Sequence, residues 1–227
     1  MVTRIYLVRH AEAEGNASEF FQGCTQTQLT DKGRKQLAYL SQRFGEIPLD
    51  AVYTSPYLRA RQTAEAVNRN HNLPIHEEDA LHEINGGDWE GKPWSVLPEA
   101  YPTEYGLWTG EMWRFQAPGG ESMADVWHRM TEAVSRIAKA HLGQTVAVVS
   151  HGCAIRNFLC FVEFCDAEHL ADVGWADNTA VSLVEYDTDT GWKLIFKNDA
   201  SHLPAEYSTL RRSQWCRYET AKEEDTP

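Results

Sequence analysis

The sequence predicts an α/β protein, a three-layer α/β/α sandwich around a mostly parallel sheet with a late antiparallel hairpin. Three observations carry that expectation. The runs "IYLV" at 5–8, "AVYT" at 51–54 and "VAVVS" at 146–150 are apolar on both faces, as buried parallel strands are. Segments of helical spacing lie between them. Near the end of the chain, "AVSLVEY" and "WKLIFK" flank "DTDTG" and read as a hairpin.

Taken in order, Thr30 is placed to cap a helix whose Leu37, Leu40 and Phe44 share one face. Ser55 followed by Pro56 predicts the start of a helix running to Val67. Ser122 with Asp125 has the spacing of a capping box, and Met123, Val126, Met130, Val134 and Ile137 then follow a helical period. Gly152 opens a further helix carrying Ile155, Phe158, Leu159 and Val162. Residues 92–118 break the rhythm with prolines at 93, 98, 102 and 118, which predicts an insertion. The expected organisation is one domain over 1–218 and a disordered tail at 219–227.

Composition narrows the function. The 227 residues, 42% hydrophobic and 24% charged, suit a single globular domain, and no apolar run approaches the roughly 20 residues of a membrane span. With 33 acids against 21 Lys and Arg, the net charge of −12 opposes nucleic-acid and membrane-surface partners. An anionic small molecule would need a local cationic pocket. The first strand starts by about residue 3, which leaves no room for a secretory signal and predicts a cytoplasmic protein. Cys24, Cys153, Cys160, Cys165 and Cys216 form no CxxC pair, so neither a disulfide framework nor a structural zinc is expected.

The chemistry gathers at strand ends. "RIYLVRH" ends a buried strand in Arg9 and His10, and "VAVVSHG" ends another in His151 and Gly152. In a parallel sheet both ends face one edge, where open α/β sheets place ligands. Amides opening the helix after Gly152 are candidate donors to an anion. Arg59 follows a third strand end and can grip phosphate oxygens in a bidentate manner, whereas Arg61 points about 200° around the helix. Glu83, in "LHEINGGDWEG", serves no purpose in holding an anion but suits a proton donor to a leaving oxygen. Alone, each feature also fits a strand reaching solvent or a surface carboxylate.

Together, "LVRHAEAEGN", "QG" at 22–23, "LT" at 29–30, "YTSPYLRARQTA", "LHEINGGDWEG", "PGGES" at 118–122 and "VVSHG" resemble the histidine phosphatase superfamily, the phosphoglycerate-mutase-like fold. The resemblance implies that His10 is the nucleophile, that Arg9, Arg59 and His151 bind the phosphoryl group, and that Glu83 is the acid. It places Asn16, Gln22, Gly23 and Gly152 against phosphate or substrate. It implies a phosphomonoesterase working through a phosphohistidine on a small phosphorylated metabolite, with no metal or organic cofactor. Ala11 stands where glycine is common, Phe20 where an arginine often precedes the Gln-Gly, and "QTQLT" at 26–30 replaces the usual "DxPLT"; these changes fall on the substrate side.

Three other readings compete. A cofactor-dependent phosphoglycerate mutase would hold a carboxylate with basic residues in the insertion, where only Lys92 and Arg114 are found, and would typically read His-Gly-Asn where this chain has His151-Gly152-Cys153. A non-catalytic phospho-ligand-binding module would have lost His10 or Glu83. A metallohydrolase using His10, Glu12 and His151 would set a cation beside arginines that repel it. Cys153 reads as packing, and the remaining histidines, at 71, 76, 82, 128, 141, 169 and 202, as structural or solvated. Trp94, Tyr101, Tyr105, Trp108, Trp113 and Phe115, with Trp89, form either a satellite core under the insertion or an aromatic wall beside Glu83.

Overall fold

The computed structural model describes residues 1–210. The expected tail at 219–227, the last residues of the expected domain and Cys216 lie outside them. Six strands, β1 (Val2–Arg9), β2 (Ala51–Thr54), β3 (Ile75–Glu77), β4 (Thr145–Ser150), β5 (Val181–Asp187) and β6 (Gly191–Asp199), form one sheet in the order β3-β2-β4-β1-β5-β6. The first four in that order are parallel, while β5 is antiparallel to β1 and to β6. Among the described residues the α-helices are α1 (Glu14–Ala17), α2 (Asp31–Phe44), α3 (Leu58–Asn68), α4 (Leu97–Ala100), α5 (Pro102–Gly110), α6 (Met123–Ala140) and α7 (Gly152–Phe164).

Alternation along the strands builds the layers, because successive side chains point to opposite faces. Ile5, Leu7, Val146 and Val148 pack with Met130 and Val134 of α6 and Ile155 and Phe158 of α7. Val8, Ala147 and Val149 instead join Leu40 and Phe44 of α2 and Ala60, Ala64 and Val67 of α3. The result is the expected three-layer sandwich with its late hairpin. No described helix is long and apolar enough to cross a membrane.

The structure moves some boundaries. The helix expected from Ser55 begins at Leu58, because the Ser55 amide is still held by the Val149 carbonyl at 3.0 Å in the sheet ladder. β3 was not foreseen; three residues at a sheet edge are too short for a periodic signal. The insertion carries α4, α5 and 3₁₀ turns, and its Leu97, Trp108, Met112 and Phe115 join the cluster formed by α6 and α7. It is bolted to the loop after β1, where the Phe21 amide donates to Lys92 O and the Trp94 amide to Glu19 O.

The cap of α6 is reciprocal. Ser122 Oγ accepts from the Asp125 amide at 3.1 Å, and the Asp125 carboxylate accepts from the Ser122 amide at 2.9 Å. Ser122→Ala removes the Oγ arm, leaves the backbone arm to the Asp125 carboxylate in place, and should cost about 1 kcal/mol. Urea denaturation checks this, with near-UV circular dichroism of the native state unchanged.

Candidate active site

The parallel register pairs Arg9 with Ser150, so the next residues on each strand, His10 and His151, leave the sheet side by side. The His10 amide donates to the Ser150 carbonyl at 3.0 Å, and the two imidazole centroids lie 5.1 Å apart. Both rings are buried. His10 Nδ1 sits 2.8 Å from the Ala11 carbonyl oxygen, which can only accept. Nδ1 therefore carries the proton and Nε2 keeps its lone pair. Burial first, then the charges of Arg59 and Arg9, hold the His10 pKa well below its ordinary value. His151 is depressed for the same reasons, burial and then Arg59, and its Nε2 lies 2.7 Å from Ser55 Oγ.

Two buried guanidiniums flank the rings. Arg9 donates through Nη1 to the Ala176 carbonyl. Arg59 reaches back to the loop after α1, donating to Gly23 O at 2.7 Å and Thr25 O at 3.0 Å, and its Nε is buried with no partner among the described residues. Burial lowers the Arg59 pKa to about 10, which leaves it charged at neutral pH. The loop that holds Arg59 is itself held by Glu90, whose carboxylate accepts from the amides of Gly23, Cys24, Thr25 and Gly86. A Cβ at Gly23 would lie 2.0 Å from Ile84 O, so only glycine lets the loop pass so close.

Glu83 faces the histidines from the other side. Its Oε1 accepts from the Ile84 and Ala154 amides at 2.9 and 3.1 Å, and its Oε2 from the Cys153 amide at 3.0 Å. The helix-start amides expected to meet a substrate anion are thus occupied by a carboxylate of the chain itself, the same physics with a different anion. Oε2, with one donor, retains a lone-pair direction for a further proton.

One cleft is lined by Arg9, His10, Asn16, Gln22, Glu83 and Gly152 together with Phe20, Phe21, Trp94, Trp108 and Trp175. Arg59 and His151 lie beneath its lining residues, and Gly23 is set back, anchoring Arg59. A Cβ at Gly152 would come within 3.2 Å of Arg9 Nε, so glycine makes room for that guanidinium. Of the insertion aromatics, Trp94 and Trp108 reach the cleft, while Trp89 and Phe115 are core. Both expectations for this segment hold in part, and Trp108 serves both. Glu12 turns away from His10 to Thr30 Oγ1 at 2.6 Å and Lys32 at 3.6 Å. His82, His141 and His202 bond within the fold, and Cys153 packs its Sγ 3.5 Å from Met123 Sδ.

Sequence reasoning passed over Glu90, Ser55 as the partner of His151, and Trp175, whose ring covers the Arg156 guanidinium at 4.5 Å. The Gly-Gly turn before Glu90 was the available signal, since paired glycines mark close backbone approach.

Two imidazoles kept neutral in the fold titrate near 6.5 once unfolded, so below that pH the unfolded state binds more protons. Stability is fully present above about 6.5 and falls as pH drops toward the lowered folded values. His10→Gln should lessen that slope by up to about 1.4 kcal/mol per pH unit. Urea titrations between pH 5 and 7.5 measure it, and an unchanged slope would mean that His10 is protonated in the native state.

Residues 5–200 match the family model described as histidine phosphatase superfamily (branch 1). Phosphoserine phosphatase 1 of Hydrogenobacter thermophilus is 33% identical over 82% of this chain and 88% of its own. The metal-independent phosphoserine phosphatase of Arabidopsis thaliana is 32% identical over 89% of this chain and 84% of its own. The structure of Bacillus stearothermophilus YhfR superposes with a TM-score of 0.81 at 32% identity, covering 88% of this chain and 98% of that one. With its paired strand-end histidines, buried arginines and facing carboxylate, this chain belongs to the histidine phosphatase superfamily.

Proposed function

We propose that this protein is a phosphomonoesterase in which His10 carries the phosphoryl group. The observation that supports this most directly is a neutral imidazole whose Nδ1 is tied to the Ala11 carbonyl, leaving Nε2 unprotonated in a cleft shared with Arg9 and Glu83. Nε2 attacks phosphorus in line, the bond to the alcohol oxygen breaks, and Glu83 protonates the departing oxygen. Water then attacks the phosphohistidine, Glu83 takes its proton, and phosphate leaves with His10 restored. Arg9 and Arg59 supply positive charge through a loose transition state, where positioning and electrostatics do most of the catalysis. If Ser55 Oγ donates to His151 Nε2, then Nδ1 carries the ring proton and is the donor to a phosphoryl oxygen.

The acceptor is water rather than a second phosphoglycerate-type alcohol. Lys92 bonds to the Asp88 carbonyl and Arg114 to Glu111 at 2.9 Å, and neither lines the cleft. An apolar wall of the same cleft is made of Phe20, Phe21, Trp94, Trp108 and Trp175. Such a wall favours uncharged, apolar alcohol portions, since ligand pockets draw affinity from apolar surface and orientation from few polar groups.

His10→Ala should abolish turnover with the fold intact, and rapid quench of the wild type with labelled substrate should trap an acid-labile phosphohistidine. Label recovered on a serine, aspartate or cysteine would overturn the mechanism. In the same assay Glu83→Gln should slow an alkyl phosphate by ~10²–10⁴-fold and an activated aryl phosphate far less, because only the poor leaving group needs the proton.

Aryl phosphomonoesters should exceed 3-phosphoglycerate in kcat/KM. Trp94, half-buried, is the ring to remove, since Trp108 is also core and its loss would cost about 3–5 kcal/mol of stability. Trp94→Ala should narrow the aryl preference by about 1–3 kcal/mol. A native preference for 3-phosphoglycerate would return these rings to a packing role.

A further inference from the structure

The segment Asp177–Thr179, just before β5, touches the backbone of the nucleophile from the side opposite β4. Thr179 is fully buried at φ +60, a left-handed conformation that is a genuine outlier for a β-branched residue. Its amide is shared between Arg9 O at 3.1 Å and His10 O at 3.4 Å. Asn178, also fully buried, donates through Nδ2 to His10 O at 2.8 Å and to Asn16 Oδ1 at 3.4 Å. Both partners can only accept, so the amide orientation of Asn178 is fixed by chemistry. Asn16 Oδ1 also takes the Ala13 amide at 3.1 Å. Two donors on that oxygen leave the NH₂ of Asn16 as the end it can offer, and Asn16 lines the cleft beside Arg9 and His10.

We propose that Asn178 is a positioning residue for phosphoryl transfer: one NH₂ group pins the main chain of His10 and commits Asn16 to present N–H donors, not its oxygen, to the phosphoryl group. The proposal rests on the reading of His10 as nucleophile and Asn16 as phosphoryl ligand. A strained turn is tolerated where the surrounding bonds over-determine it, and Asp177 supplies them by accepting from the amides of Asn178 and Thr209. Without Asn178, Asn16 Oδ1 keeps only the Ala13 amide as donor, so its orientation is held by one bond instead of two, and the His10 carbonyl loses its shortest bond.

The test uses the full chain with phenyl phosphate as substrate and inorganic phosphate as product inhibitor. Asn178→Ala should lower kcat/KM by roughly 10–10²-fold, the scale of a small misplacement of a catalytic group, and weaken phosphate inhibition comparably. Added to Asn16→Ala, the same change should cost at least threefold less, because the two residues act as a unit. Asn16→Asp, which keeps the Oδ1 bonds but replaces NH₂ by oxygen, should be at least tenfold worse than Asn16→Ala. Asn178→Ala with rates within twofold of wild type, whatever its Tm, overturns the proposal, as does full loss in the Asn16→Ala background. Should Asn178→Ala not fold, the comparison of Asn16→Asp with Asn16→Ala decides alone, and an Asp variant no worse than the Ala variant overturns it. Trapping of phosphohistidine in the wild type separates the two readings: if it is absent both fall, and if it is present while Asn178→Ala keeps wild-type rates only the role of Asn178 falls.

Discussion

The parallel register of β1 on β4 is the constraint on which the rest of the site depends. A slip of one residue would turn His10 and His151 to opposite faces, since side chains alternate with a period of two. The ladder runs past the strands: the His10 amide reaches Ser150 O, the Ser55 amide Val149 O, and the Arg9 amide Ala180 O. Four neighbouring strands thus deliver Ser55, His151, His10 and Thr179 to one sheet edge as the residues just outside regular pairing. Their mutual bonds, Ser55 to His151 and Thr179 to His10, follow from that arrangement.

The edge carries an unusual load of charge for a chain of net −12. Neutral imidazoles resolve it in part, because burial disfavours proton uptake by both rings and the charge of Arg59, joined by Arg9 at His10, disfavours it further. The carboxylates of Glu83 and Glu90 do not pair directly with Arg59. Glu83 and Glu90 are satisfied by peptide N–H donors, and among the described residues Arg59 forms hydrogen bonds only to carbonyls. Arg59 therefore stays charged without a direct ion pair, and each acid keeps a fixed position. Glu90 acts at one remove: it shapes the loop whose carbonyls aim Arg59.

How much of this was legible follows from where each residue sits. His10, His151 and Arg59 mark the ends of strands that periodicity identifies, so their convergence could be read from topology. Glu83 lies in irregular structure and gained its meaning only from the other three and from the family pattern. The amides after Gly152 were expected to meet a substrate anion, whereas the anion on them is Glu83, brought there by packing across 70 residues. Asn178 bonds to His10 over a separation of 168 residues from a loop with no periodic signal, and Trp175 is placed by the same stretch. The insertion shows the limit in another way: an aromatic residue at a core position and one at a cleft wall look alike in sequence, and Trp108 is both.

The architecture separates two tasks. In the proposed mechanism phosphorus is handled by groups on the sheet edge, which are rigid because strand register fixes them. The alcohol is assigned in that mechanism to Phe20 and Phe21 after β1, to Trp94 and Trp108 of the insertion and to Trp175, which line the same cleft. Contact with rings is proportional to area and carries no fixed ion pair, so an alcohol held this way departs without a charge having to be broken free. A mutase needs the opposite, a charged intermediate retained long enough to reorient and take the phosphoryl group back. On the proposed reading, departure of the alcohol would leave Glu83 in the same cleft as a phosphorylated His10 with apolar walls around them, where water is the nucleophile small enough to enter and give up its proton.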